Sequence, residues 1–218
     1  IKNFINEETI IISLLNGIHS EKVIAELYGK KNILYSFYIG ASCIREGRTV
    51  SQNGDYSIVI GSKYNCQNNI LNILDEFLTK SNIKHYISKR IIDEYWRKFM
   101  INIGINQLSA VTGMTLKQIK KDVTLKNKML ALMKEAEIIA EKEGIVNHKK
   151  IYNSAAKFLL EELPDANPSM LQDIEAGRKT EVDIFAGKII ELGKKYNIEV
   201  PENSSVYRRI KEIELKKI

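Results

Sequence analysis

Trp96-Arg97-Lys98-Phe99-Met100-Ile101-Asn102-Ile103-Gly104-Ile105-Asn106-Gln107-Leu108-Ser109-Ala110 decides how the rest of the chain is read. On a helix turning about 100° per residue, Lys98, Asn102, Asn106 and Ser109 fall within about 80° of one another. Phe99, Ile101, Ile103, Ile105, Leu108 and Ala110 make most of the remaining surface apolar. An ordinary surface helix has the opposite layout, a single apolar stripe with polar residues over the rest. This helix is therefore expected to be buried except along a narrow polar strip. Asparagine is a mediocre helix former because its amide competes for nearby backbone groups. Two of them in line with a lysine need hydrogen-bond partners or a ligand. Two readings follow: a polar seam satisfied by neighbouring helices, or one wall of a polar cleft that offers an ammonium and fixed amides.

C-terminal to this stretch the apolar period is helical almost throughout. Thr124 to Glu143 reads as a long amphipathic helix ending near Gly144, and His148 to Leu163 as another. Asn167-Pro168-Ser169-Met170-Leu171-Gln172-Asp173 opens a further helix, with Asn167 as N-cap and Pro168 at the first helical position. Ser169 then lies among free backbone N–H groups, where it either caps or helps seat a carboxylate or phosphate. Gly177-Arg178-Lys179-Thr180 interrupts the pattern, and Thr180-Glu181-Val182-Asp183 restarts it in the shape of a capping box. On one straight helix Ser169 and Glu181 stand roughly 18 Å apart, so only a bend at Gly177 lets both reach one cleft. Glu181 is otherwise an ordinary first-turn acid favoured by the helix dipole.

N-terminal to the same stretch the chain is rich in strand formers. Thr9 to Leu15 is a continuous apolar run ending at Asn16-Gly17, as in a parallel strand buried on both faces. Ser20 to Tyr28 follows as a short helix with Ser20 as N-cap, and Asn32 to Ala41 is a second apolar strand. Strand, helix and strand in that order make a βαβ unit. Ile44 to Val50 and Tyr56 to Ile60 flank Asn53-Gly54, which predicts a hairpin turn. Asn68 to Ser81 has helical spacing, and a short connection runs on to about Lys89. The composition shifts there, so the expectation is α/β over residues 1–89 followed by all-α over 90–218. A βαβ fragment with one hairpin is too small to cover both faces of a sheet. Further strands are therefore expected before Ile1.

With 218 residues, 44% hydrophobic and 28% charged, the chain can bury a sizeable core. No run of about 18 apolar residues suggests a membrane span, and the first residues lack a signal-peptide layout. Cys43 and Cys66 have no metal-ligand spacing, so no metal is expected and a reduced, cytoplasmic setting is the simplest account. The net charge of +6 is spread among lysines interleaved with glutamates, the densest spot being Lys216-Lys217. Aromatic residues do not alternate with basic ones, which argues against a nucleic-acid surface.

Three motifs in order carry a family resemblance. Lys98-Phe99-x-x-Asn102-x-x-x-Asn106-x-Leu108-Ser109-Ala110, then Ser169-Met170-x-Gln172-Asp173, then Gly177-Arg178-x-Thr180-Glu181-Val182-Asp183 resemble ketopantoate reductase, or 2-dehydropantoate 2-reductase. Ser13-Leu14-Leu15-Asn16-Gly17 is similar to that family's strand ending in Gln-Asn-Gly, with Leu15 departing from the Gln. Tyr38-Ile39-Gly40-Ala41 and Pro201-Glu202-Asn203 also fall where the family has comparable stretches.

The resemblance implies the C-terminal part of a Rossmann-type domain, followed by a helical domain like the C-terminal domain of 6-phosphogluconate dehydrogenase, with the active site between them. It implies NADPH-dependent reduction of the 2-keto acid ketopantoate to pantoate, in pantothenate and coenzyme A synthesis. Lys98 would be the general acid. Asn102, Asn106 and Ser169 would hold substrate, Glu181 would serve the substrate hydroxyl or the cofactor ribose, and Asn16 would touch the cofactor.

No Gly-x-Gly-x-x-Gly follows a strand in these residues, so the phosphate-binding turn is expected upstream of Ile1. A polypeptide limited to these residues is expected to bind cofactor weakly and to reduce nothing. The family's usual polar ligand in the loop after the Lys-Asn-Asn helix has Thr112 and Thr115 as candidates, neither assigned. A paralogue reducing another branched 2-keto acid and a non-catalytic helical dimerisation module are the competing readings. A homodimer is open, and no nucleic-acid or membrane partner is expected.

Overall fold

A β-branched run becomes a strand only where a neighbouring strand takes up its backbone groups, and this condition trims the N-terminal half. The computed structural model describes residues 2–40, 42–64, 67–163 and 167–217. Of the positions singled out above, Ile1, Ala41 and Cys66 lie outside them, as do the side chains of Cys43, Ile44, Asn53 and Lys217. The chain forms two compact units, Ile1–Tyr95 and Trp96–Ile218.

In the first unit, the run from Thr9 to Leu15 yields only β1 (Ile11–Ile12). It lies parallel to β2 (Ile33–Ile39), with Ile11 opposite Ile33 and Ile12 opposite Leu34. The expectation of a full strand buried on both faces fails past Ser13, and Leu15 is 65% exposed. β1 is the outer strand of the sheet, and among the described residues no strand pairs on its far side.

The helix of the βαβ unit is α1 (Ser20–Tyr28), but its N-cap is His19, without a side-chain cap bond. Ser20 instead donates its hydroxyl to Glu21 and accepts from Ser13. A hydroxyl so engaged does not serve the amides of its own helix.

The predicted hairpin also differs. β3 (Ser42–Glu46) pairs antiparallel with β4 (Thr49–Asn53), so the tight turn is at Gly47-Arg48 and not at Asn53-Gly54. β5 (Ser57–Gly61) leaves β4 and joins β2 antiparallel, Phe37 opposite Val59. Gly47 and Gly54 both hold positive φ, 60° and 90°, so either can reverse the chain, and strand pairing chooses between them. Gly40, at φ +89°, lets the strand pass the Asp55 carbonyl where any Cβ would collide.

The stretch read as a connection before Lys89 contains β6 (His85–Ile87), parallel to β5. The sheet order is β1-β2-β5-β6. Leu34, Ile58 and Ile60 cluster with Leu71, Leu74 and Leu78 of α2 (Asn68–Lys80). The alternate residues Phe37 and Val59 cluster with Ile91 and Tyr95. That is the period-two division of a sheet covered on both faces.

The second unit is built on α3 (Ile91–Thr112), whose first turns belong to the first unit. Phe99, Met100, Ile103, Ile105, Leu108 and Ala110 are buried, as the sequence required. Around it are α4 (Leu116–Lys121), α5 (Val123–Lys142), α6 (His148–Lys157) running on into a π turn at Phe158–Glu162, α7 (Ser169–Glu175), α8 (Ala186–Tyr196) and α9 (Pro201–Lys217).

Gly104 sits where a Cβ would lie 2.8 Å from Cγ and Sδ of Met133, so its bare backbone lets α3 approach α5 closely. Opposite the polar strip, the fully buried Gln107 accepts from the Ala186 amide (2.9 Å) and donates to Asn203 Oδ1 (3.2 Å). Asn203 donates to Leu132 O and to Glu135, whose carboxylate also takes the amides of Glu202 and Asn203 at the start of α9. One buried amide thus ties the starts of α8 and α9 to α3. The architecture is an α/β unit followed by an all-helical one, as expected. Among the described residues no helix is long and apolar enough to cross a membrane.

Candidate active site

The polar strip on α3 survives folding as a graded one. Lys98 and Asn102 are half-buried, Asn106 is 7% exposed, and Ser109 is fully buried with no hydrogen-bond partner for its Oγ. A helix places these residues on successive turns of one face without help from elsewhere. What the helix alone does not supply is the counter-charge. Burial pulls the Lys98 ammonium down from its usual range to about 8, and the carboxylate of Glu181 opposes that fall. A lysine so tuned is charged at neutral pH yet close to releasing its proton, the condition a general acid needs.

Glu181 acts electrostatically on Lys98, and the chain breaks ahead of it where the sequence said it would. α7 stops at Glu175, and Gly177 takes φ +65°. The amide of Gly177 bonds the Ile174 carbonyl (3.2 Å) and that of Arg178 bonds the Asp173 carbonyl (2.8 Å), closing the helix end around a left-handed glycine. Arg178 also pairs with Asp173.

Two capping expectations in this region are corrected. Asn167 does not cap α7: the N-cap is Pro168, Ser169 is the first helical residue, and the Asn167 amide bonds Glu175. Thr180 opens no helix, because the chain bends at Glu181, residues 182–185 form turns and α8 begins at Ala186. Its hydroxyl and amide are taken instead by Glu214 of α9, both at 2.7 Å. The Thr180 oxygen still accepts locally, from the Val182 amide (3.3 Å), while Glu214 takes the backbone amide that the box acid would have held.

The charge of Glu181 thus acts on Lys98, and Asn102 and Asn106 lie on the same face of α3 as Lys98. Ser169 lies exposed on α7 and is not part of that pair. Asn16 lies half-buried in the first unit, just past β1 and before Gly17, which has φ 90°. Such sheets hold nucleotides beyond the carboxyl ends of their strands, and Asn16 lies four residues past the end of β1.

Nearby in that unit, Glu21 is 3% exposed and accepts from Ser20 and from the Tyr95 hydroxyl. Desolvation raises its carboxyl above the ordinary range, and burial beside that carboxylate raises the Tyr95 phenol further. Thr112 donates to the Leu108 carbonyl, and Thr115 forms a capping box with Gln118 at the start of α4. Both candidates for the extra ligand therefore have local structural duties. Sequence reasoning missed Gln107, Asn203 and Glu214, whose partners lie 34 to 96 residues away. Among the described residues no group of three or more His, Cys, Asp or Glu could hold a metal ion.

A family model described as "Ketopantoate reductase PanE/ApbA C terminal" matches residues 90–214, and one described as "Ketopantoate reductase PanE/ApbA" matches residues 1–65. A 2-dehydropantoate 2-reductase of Pyrococcus horikoshii is 29% identical over 207 residues, covering 94% of this chain and 67% of the relative. The chain spans about two thirds of the length of the curated relatives it matches. Among solved structures, D-mandelate dehydrogenase in complex with NADH superposes with a TM-score of 0.88 at 23% identity, over 100% of this chain and 74% of the other. A dimeric ketopantoate reductase from Staphylococcus aureus does so with a TM-score of 0.81 at 20% identity, over 98% and 71%. At those identities the likeness establishes the fold, a Rossmann-type unit followed by a helical one.

Proposed function

Because the chain belongs to the ketopantoate reductase family of oxidoreductases, we propose that the complete gene product reduces 2-dehydropantoate to pantoate with NADPH, and that Lys98 is the general acid. The observation that carries this reading is the Lys98–Glu181 pair: a half-buried ammonium brought to about 8 by burial, with a carboxylate that keeps it charged.

The nicotinamide, when bound, supplies the hydride to the keto carbon. Negative charge then gathers on the carbonyl oxygen, and a cation that can also give up a proton stabilises it. Lys98 gives its Nζ proton to that oxygen, the alcohol forms, and the neutral amine takes a proton back from water. Asn102 and Asn106, one and two turns further along α3, hold the substrate with fixed donors and acceptors. Ser169 takes part in holding the carboxylate or a hydroxyl. Glu181 keeps Lys98 protonated and receives the substrate hydroxyl or the cofactor ribose, and Asn16 contacts the cofactor. The product serves pantothenate and coenzyme A synthesis in the cytoplasm, and a homodimer is the assembly proposed.

Lys98→Ala tests this. In the complete gene product it should lower kcat by about 10²–10⁴, the range for removing a general acid, with an unchanged circular dichroism spectrum. Near-normal turnover would take Lys98 out of the mechanism.

A further inference from the structure

Glu181 itself lies in a segment without regular structure, between Gly177 and the start of α8, yet its carboxylate acts on Lys98. Something must hold that segment, because a loop free to move would average the interaction away. The holding groups come from α9. Glu214, 7% exposed, accepts from the Thr180 amide and from the Thr180 hydroxyl through one carboxylate oxygen, each at 2.7 Å. Its other oxygen faces Lys211 at 3.3 Å. On the far side of Glu181, Asp183 accepts from the Tyr207 hydroxyl and from Lys211, each at 2.9 Å, with Lys179 at 3.7 Å. The residues on either side of Glu181 are therefore both clamped to one face of α9. Lys211 bridges the two clamps.

We propose that Glu214 is a positioning residue for Lys98 and Glu181, fixing the Thr180–Asp183 segment so that the Glu181 carboxylate keeps its place relative to the ammonium. This rests on the reading of Lys98 and Glu181 given above. The charged and titratable groups around the clamp are Lys179, Asp183, Tyr207, Lys211 and Glu214, and the group at the receiving end is Glu181. Hydrogen bonds to Thr180 and Lys211 hold the Glu214 carboxyl below the ordinary range against a desolvation that raises it. It therefore stays an acceptor across the working range of pH. Glu214 touches no reacting atom in this scheme.

The test reads the proton affinity of Lys98 directly. In the complete gene product with isotopically labelled lysine, the Lys98 side-chain resonance is assigned through Lys98→Arg and titrated by NMR in wild type, Glu214→Ala, Glu214→Gln and Thr180→Val. Glu214→Ala should lower the Lys98 midpoint by about half a pH unit or more, the size of effect expected when a nearby opposite charge is displaced. Glu214→Gln keeps a carbonyl oxygen for both Thr180 donors and should restore most of the shift. Thr180→Val, which loses one of the two bonds, should fall between wild type and Glu214→Ala, and serves if Glu214→Ala does not fold.

The alkaline limb of kcat/KM, which reports the free enzyme, should move with the NMR midpoint. A residue that merely stabilised the fold would lower the melting temperature and leave the midpoint in place, and that result overturns the inference. Equal displacement by Glu214→Ala and Glu214→Gln overturns it too. If Lys98→Ala proves active, the catalytic reading fails, while the NMR titration still decides whether Glu214 positions the pair.

Discussion

Replacing Glu181 by glutamine removes a charge and keeps the shape, so it isolates the electrostatic half of the candidate site. In the wild type, burial pulls the Lys98 ammonium down to about 8 although the Glu181 carboxylate pulls the other way. Without that carboxylate, burial acts unopposed and the proton affinity falls further. An opposite charge at close range is worth one to three pH units, and about one is expected for a half-buried pair.

The sign follows directly. Reduction needs the protonated form, so activity is lost as pH rises through the Lys98 midpoint, and the variant should lose it earlier. For a midpoint moving from about 8 to about 7, the protonated fraction at pH 6 goes from about 0.99 to about 0.9. At pH 8 it goes from about one half to about one tenth, a fivefold loss. The ratio of wild-type to variant kcat/KM, followed by loss of reduced-nicotinamide absorbance in the complete gene product, should thus climb from near unity at pH 6 to about five at pH 8. A loss by one constant factor at every pH would refute the reasoning, because it would mean that Glu181 acts by shape or substrate contact and not through the charge on Lys98.

Two further predictions concern the scaffold that carries the site. Gln107→Met keeps the volume but leaves the Ala186 amide and Asn203 Oδ1 without their partner. At about 1–3 kcal/mol for each of these two orphaned buried groups, the helical unit should lose about 2–6 kcal/mol in urea unfolding, and a loss below about 0.5 kcal/mol would contradict the network. Gly104→Val places branched carbon where even a Cβ meets Met133 at 2.8 Å. It should cost about 1–3 kcal/mol through overpacking, seen as a lower melting temperature; an unchanged one would show that α3 and α5 are less tightly fitted than drawn.

Much of the helical unit was legible in the residues alone. A period near 3.6 marked α3 as buried except along a polar strip, aligned Lys98, Asn102 and Asn106 on one face, and placed α5 within a residue of its observed ends. The glycine at 177 announced the break that frees Glu181 from a straight helix. These are local properties, readable because a helix satisfies its backbone within one turn. Strand pairing is not local: the turn chemistry pointed to Asn53-Gly54, and the pairing of β3 with β4 and of β5 with β2 put the tight turn at Gly47-Arg48 instead.

The same division runs through the site. Order along the chain showed which side chains share a turn of α3, and the three motifs together pointed to a family. Folding alone decided that Thr180 is held by Glu214 rather than capping its own helix, that Gln107 meets Asn203, and that the charge of Glu181 falls on Lys98. Each of those partners is separated from the other by tens of residues. Which distant donor finds which acceptor depends on how helices pack, a property of the assembled core that no stretch of sequence contains.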